Sequence, residues 1–194
     1  MSDRGRSLDT LNNKDWRVRY AEANNPDTPA EALAVLATDE DGVVRQAVAS
    51  NINTPSETLN VLADDTAWYV RMDVAGNPST PVETLMKLAT DDDWLVRYEV
   101  ARNPNTPAEA LVVLANDENK NIRREVAGNP NATENILLMV SRDHSPSVRE
   151  AVARNPKIPP EAVKRLSTSK SSRIRKLLSE NPSVTEHIRV GLSL

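Results

Sequence analysis

One spacing constrains this chain more than anything else: a 26-residue period that never slips. Asparagine recurs at Asn25, Asn51, Asn77, Asn103, Asn129, Asn155 and Asn181, and arginine at Arg19, Arg45, Arg71, Arg97, Arg123, Arg149 and Arg175. Proline follows the asparagine from Pro26 to Pro182, with only Ile52 breaking the column. An unbroken register across seven units means that one supersecondary element was copied and stacked, so the spacing predicts a solenoid. The core has no phenylalanine and must be built from Leu, Val, Ile and Ala. That composition suits thin layers between short helices rather than one deep core.

Residues 93–117 show one unit most clearly. Asp93 reads as an N-cap and Trp94 to Arg102 as a short helix, with Val96, Arg97, Val100 and Ala101 on one stripe. Asn103 suits a left-handed helix end, although the residue before proline is biased towards extended backbone. Pro104 cannot continue the helix. Thr106, Pro107 and Glu109 then read as N-cap, first helical position and capping-box partner of a second helix. Its buried edge is Leu111, Leu114 and Ala115, and the same T-P-x-E recurs from Thr28, Thr54 and Thr80. An Asp ends five units, at Asp39, Asp65, Asp91, Asp117 and Asp143. Small residues at Ala23, Ala49, Ala75, Ala101, Ala127 and Ala153 let successive helices approach closely. No segment alternates with period two for long enough to be a strand.

The expected organisation is an N-terminal cap at 1–14, to which Leu8 and Leu11 contribute, and one helical repeat domain at 15–194. Its units fall near 15–40, 41–66, 67–92, 93–118, 119–144, 145–170 and 171–194. Regularity fades in the last three: Ala132-Thr133-Glu134 and Ile158-Pro159-Pro160-Glu161 replace T-P-x-E, and the seventh unit carries His187 and Arg189 at column positions. Such decay fits a terminal cap.

The string V-R-x-x-V-A-x-N-P-x-T-P-x-E-x-L-x-x-L-A-x-D, nearly complete from Val96 to Asp117, resembles the leucine-rich repeat variant family over residues 15–190. The resemblance implies an all-α, right-handed superhelix of about seven two-helix repeats, alternating α- and 3₁₀-helices. It is distantly similar to HEAT-like and armadillo-like arrays. The family's founding form carries a cysteine-rich iron–sulfur module. This chain has no cysteine, so that module and its redox role do not carry over, and no cofactor is expected.

Charge is unevenly spread. Residues 1–118 hold 10 Lys or Arg against 21 Asp or Glu, a net of −11, while residues 119–194 hold 14 against 7, a net of +7. Such a dipole can orient a charged partner or favour weak head-to-tail contact between copies; otherwise a monomer is expected. No apolar run approaches the roughly 18 residues of a membrane span, and no secretory start is evident. A cytoplasmic location is the default.

The arginine row would suit phosphates, but it persists through the acidic half and lies beside the buried Val with the Asp column as partner, which favours a structural role. The asparagine row is favoured as structural too, its amides satisfying backbone groups at the bend. Asp39-Glu40-Asp41 and Asp91-Asp92-Asp93 lack the ligands and glycine of a calcium loop. Trp16, Trp68 and Trp94 share one slot, with Tyr20, Met72 and Tyr98 four residues on and Arg102 beyond. Residues four apart share a helix face, and Trp, Tyr and Arg are frequent interface anchors. Gly42, Lys120, Pro146 and Ser172 fill the Trp slot elsewhere, so the stacked layer does not require an aromatic there.

Lys164, Arg165, Lys170, Arg173, Arg175 and Lys176 form the best anion candidate, without an aromatic for base stacking. His144 and His187 have no spacing for a metal or for a nucleophile–base pair, and no phosphate-binding glycine loop is present. The leading expectation is therefore a non-enzymatic scaffold that binds a protein through the aromatic face. Nucleic-acid or other polyanion binding by the basic C-terminal repeats is the second reading. A HEAT-like-repeat enzyme acting on DNA is a weaker third, because its Trp, Asp and Arg all fall in repeat columns. Neither a metal nor a membrane enters the expectation.

Overall fold

A computed structural model describes residues 10–184; the cap position Leu8 and the seventh-repeat positions His187 and Arg189 lie outside it. Among the described residues there are thirteen complete helices and no strand. In chain order they are α1 (Trp16–Ala23), α2 (Ala30–Leu36), α3 (Gly42–Ser50), α4 (Ser56–Leu62), α5 (Trp68–Gly76), α6 (Val82–Leu88) and α7 (Trp94–Arg102). They continue with α8 (Ala108–Leu114), α9 (Lys120–Gly128), α10 (Glu134–Val140), α11 (Pro146–Arg154), α12 (Pro160–Ser167) and α13 (Ser172–Glu180). The chain divides into two compact units between Asn105 and Thr106.

In the first unit α1, α3, α5 and α7 stack on one another, and each second helix packs against the first helices on either side of it. Val44, Val48, Val70, Val74, Val96 and Val100 are fully buried in that stack, and so are Leu33, Leu59 and Leu85 of the second helices. Ala23, Ala49, Ala75 and Ala101 expose nothing, as the close approach of successive helices requires. The second unit repeats the scheme with α9, α11 and α13, closed by α8, α10 and α12. Its layer is Ile122, Val126, Val148, Val152, Ile174 and Leu178 against Leu111, Leu137 and Val163. A helix of seven to nine residues is too short to stand alone in water, so the stacking is what makes these segments helical.

Two local expectations are corrected. Asn51, Asn77, Asn103, Asn129 and Asn155 close their helices in extended backbone, not in the left-handed region; Asn51 has φ −69° and ψ 125°. The steric demand of the following proline, or of the same turn at Ile52, wins over the helix-closing habit of asparagine. The chain then makes a four-residue turn, in which Thr54 N–H reaches the Asn51 carbonyl at 3.1 Å and Thr80 N–H the Asn77 carbonyl at 3.1 Å.

The second correction concerns the capping box. Pro29, Pro55, Pro81 and Pro107 themselves hold the N-cap place in extended backbone, with no side-chain cap bond. Thr28, Thr54 and Thr80 instead turn inward, donating Oγ1 to the carbonyls of Glu22, Val48 and Val74 at 2.5, 2.6 and 2.5 Å. A hydroxyl buried at this bend is better spent on a carbonyl at the end of the preceding helix than on a solvent-facing N–H. Only where proline is lost does the sequence logic hold: Thr133 Oγ1 accepts from Ile136 N–H.

Among the described residues the second helices are α-helical, not 3₁₀. Three-residue spacing closes their C-terminal turn, where the backbone N–H groups of Asp39, Asp65, Asp91, Asp117 and Asp143 donate to carbonyls three residues back.

Candidate functional site

Asp15, Asp41 and Asp93 cap the first helices α1, α3 and α7, accepting from Arg17, Val43 and Leu95 N–H. This fixes where each helix begins and therefore which side of it meets solvent. With the Val and Ala columns turned inward, the slot at the first helical position points out. Trp16, Trp68 and Trp94 are 36, 42 and 44% exposed there. Trp16 meets Tyr20 edge-on at 6.2 Å between centroids, and Trp94 meets Tyr98 at 6.3 Å. Both are within the range of favourable aromatic pairs. Arg102 lies over the Tyr98 ring at 5.7 Å, and Arg17 over Trp16 at 5.0 Å.

Helices α5 and α7 are stacked neighbours, so Trp68 and Met72 lie on the helix next to Trp94, Tyr98 and Arg102. Trp68 also meets Tyr69 edge-on at 5.8 Å. Met72 and Tyr98 are half-buried, the feet of a strip whose tryptophans stand in solvent. Gly42 explains the gap in the second repeat. The Tyr69 hydroxyl lies where a Cβ on Gly42 would go, so the third repeat covers the slot that the second leaves bare.

The arginine row does other work. Arg19, Arg45 and Arg71 hold Asp39, Asp65 and Asp91 with two parallel bonds, Nε to Oδ2 at 2.5, 2.5 and 2.6 Å and Nη2 to Oδ1 at 2.9, 3.0 and 2.9 Å. Arg123 holds Asp143 in the same way, at 2.6 and 3.2 Å. The free Nη1 of each donates to a loop carbonyl six residues back; Arg45 to Asp39 O is 2.7 Å. Burial alone would raise the pKa of these four carboxyls, but the arginine bond, the arginine charge and a backbone N–H outweigh it and hold all four below the ordinary value. These guanidinium groups tie the loops together and are not offered to phosphates.

The asparagine row is structural too. In the first unit Asn51, Asn77 and Asn103 each donate Nδ2 to two carbonyls of the preceding repeat; for Asn77 these are Ala49 O at 2.8 Å and Asn51 O at 2.9 Å. Each Oδ1 accepts the N–H two residues on.

The six basic candidates are spread over α12, α13 and the loop between them. Lys164 and Arg165 are on the second helix α12, and Arg165 donates to Ser141 Oγ at 2.6 Å. Arg173 pairs with Glu150 at 2.8 Å and Lys176 with Glu180 at 3.7 Å, on the exposed side of α13. Arg175 turns away from that side to donate to Ser169 O at 2.5 Å, and Lys170 is in the preceding loop.

An exposed apolar row on the second helices escaped the sequence reading. Val35, Val61 and Met86 carry it in the first unit and Val112, Val113 and Met139 in the second. The available signal was that these columns hold apolar residues outside the Leu, Leu, Ala edge. Among the described residues no group of three His, Cys, Asp or Glu is placed to hold a metal ion, and no helix is long and apolar enough to cross a membrane.

Short stacked helices, a buried polar frame that repeats every unit and an outer face free to vary define a helical repeat scaffold. The family model described as leucine rich repeat variant matches residues 94–119. A solved structure described as a leucine-rich repeat variant with a novel repetitive protein structural motif is 27% identical, with a TM-score of 0.70, over 98% of this chain and 82% of that one. The resemblance carried by the asparagine, proline, arginine and leucine columns thus stands in both sequence and fold. Looser likenesses are an engineered protein at 21% identity and TM-score 0.47, covering 98% of both chains, and a designed armadillo repeat protein at 14% and 0.43, covering 96% of this chain and 98% of that one. No curated protein matches the sequence.

Proposed function

We propose that this repeat scaffold is non-catalytic and binds another protein through the aromatic face of its first unit. Trp68, Met72, Trp94, Tyr98 and Arg102 form the centre, and Trp16 and Tyr20 extend it. The observation that carries this reading is the exposure of three tryptophans in a slot that other repeats fill with Gly42, Lys120, Pro146 and Ser172. A ring that the stack does not need, held rigidly by a helix and half out of water, has the makings of an interface anchor.

The double substitution Trp94→Ala with Tyr98→Ala tests it. The variant should keep its helical circular dichroism and a cooperative melt while losing partners that the parent chain captures in affinity purification. Undiminished capture, or a variant that no longer folds, would refute the proposal. Binding to a polyanion is the lesser reading, since Arg173 and Lys176 are already paired with Glu150 and Glu180. It requires a band shift with nucleic acid at low ionic strength that weakens steeply with salt.

A further inference from the structure

The arginine row changes at its last step. Asp39, Asp65, Asp91 and Asp143 each bond the guanidinium of the arginine twenty residues earlier. For Asp39, Asp65 and Asp91 the next arginine of the row also lends its charge. The equivalent of these aspartates for Arg149 is Ser169. Every other part of the rung is in place. Arg149 Nη1 donates to Asp143 O at 2.5 Å, as Arg45 does to Asp39 O, and Arg175 Nη1 donates to Ser169 O at 2.5 Å. The N–H two residues beyond, which reaches a carboxylate oxygen at 2.8 Å in Ala67 and 2.7 Å in Ser145, reaches only Ser169 Oγ at 3.3 Å in Ser171.

Two guanidinium groups therefore flank a position that is built for a carboxylate and holds a hydroxyl. Arg149, Ser169, Ser171 and Arg175 are all half-exposed, so the position can be reached from solvent. The nearby acids are committed elsewhere: Asp143 to Arg123, and Glu150 to Arg173 and Arg154. His144 and Lys170 on the adjoining loops add no negative charge.

We infer that Arg149, Ser169 and Arg175 form a binding site for one carboxylate, supplied by an Asp or Glu side chain of a partner. The incoming group bonds Nε and Nη2 of Arg149 and takes the Ser171 N–H, standing to Arg149 as the Asp143 carboxylate stands to Arg123. A carboxylate is favoured over phosphate because the chain itself shows this fork closed on a planar two-oxygen group four times. The site lies in the second unit, so it stands or falls independently of the aromatic face.

The test uses the full ¹⁵N-labelled chain and reads the arginine Nε–Hε resonances, with Arg149 assigned from the Arg149→Lys variant. N-acetyl-aspartate amide is the probe, N-acetyl-asparagine amide the neutral control, and inorganic phosphate the competing oxyanion, all at one ionic strength. The Arg149 signal should move saturably towards that of Arg123 with the aspartate probe and stay still with the asparagine control. In Ser169→Asp it should already sit near the Arg123 signal, and its response should fall by about tenfold or more. Should Ser169→Asp not fold, Arg149→Gln serves instead, and the response of Arg175 to the aspartate probe should be lost. An unmoved Arg149 signal, an equal response in Ser169→Asp, an undiminished Arg175 response in Arg149→Gln, or a response to phosphate alone would each overturn the assignment.

Discussion

In the first unit Arg19, Arg45 and Arg71 each hold an aspartate, while Thr28, Thr54 and Thr80 pin the bend with a hydroxyl. In the second unit Arg123 holds Asp143, but Ser169 stands in the register of the aspartate that Arg149 would hold, and beyond Thr106 the threonine column carries Ala132, Ile158 and Val184. Ala132, Ile158 and Val184 are all buried, so an apolar side chain fills the same bend that the hydroxyl bridged. The asparagine does not change: Asn155 still donates to Ala127 O at 2.8 Å and Asn181 to Ala153 O at 2.8 Å. The repeat thus rests on the asparagine bridge and the Val, Leu and Ala layer. The ion pair and the threonine pin are additions that one unit keeps and the other partly sheds.

Breaking a rung should separate the units most sharply. Asp65 is almost fully buried and satisfies both Arg45 and the Ala67 N–H. Asp65→Ala leaves Arg45 half-buried without its charge partner, and should cost about 3 kcal/mol. Arg149→Ala removes a side chain that has a carbonyl partner and no carboxylate, and should cost about 1 kcal/mol. Urea denaturation compares the two variants, with hydrogen exchange resolved by segment to show which unit has loosened. Equal losses would mean that the carboxylate adds nothing to the rung.

Acid should draw the same line more gently. A carboxyl held below its unfolded value stabilises the fold in full above that value, near 3.8, and loses its contribution as pH falls through the lower folded value. Asp39, Asp65 and Asp91 all act within the first unit, whereas Asp143 acts in the second. Below about pH 3.8 the first unit should therefore open before the second. Tryptophan emission, which comes only from Trp16, Trp68 and Trp94, reports that opening directly. Simultaneous opening of both units in segment-resolved exchange would argue that the rungs contribute equally to each.

The repeating frame is legible in the amino-acid sequence, and the direction in which individual side chains turn is not. A column of arginine and a column of aspartate twenty residues apart could be matched before any geometry, because the fixed period places them at the same loop in every repeat. Helix limits were legible at Asp93, Trp94 and Arg102 for the same reason. The threonine was misread because T-P-x-E is the same string whether the hydroxyl turns out to cap or in to bridge; only the fold of the preceding bend decides. The six C-terminal cations are close in sequence, which by itself does not decide that Arg165 and Arg175 bond to Ser141 and Ser169 while Arg173 and Lys176 pair with carboxylates. Val35 and Val61 were passed over since an exposed valine and a core valine are the same letter.

The smallest expected effect bears on the site itself. Trp94 and Lys120 hold the same slot, one in each unit, and both are exposed. If the slot belongs to the surface, Lys120→Trp should shift stability by no more than about 0.5 kcal/mol, the range of ordinary surface substitutions. The added indole should also be open to a soluble quencher such as iodide. A loss beyond about 1 kcal/mol, or an indole shielded from iodide, would mean that this position is part of the stacked layer. The tryptophans of the first unit would then be packing residues, and their exposure no sign of a partner. An unchanged melt with a quenchable ring would leave the two units as the same frame carrying different outer faces, aromatic in one and charged in the other.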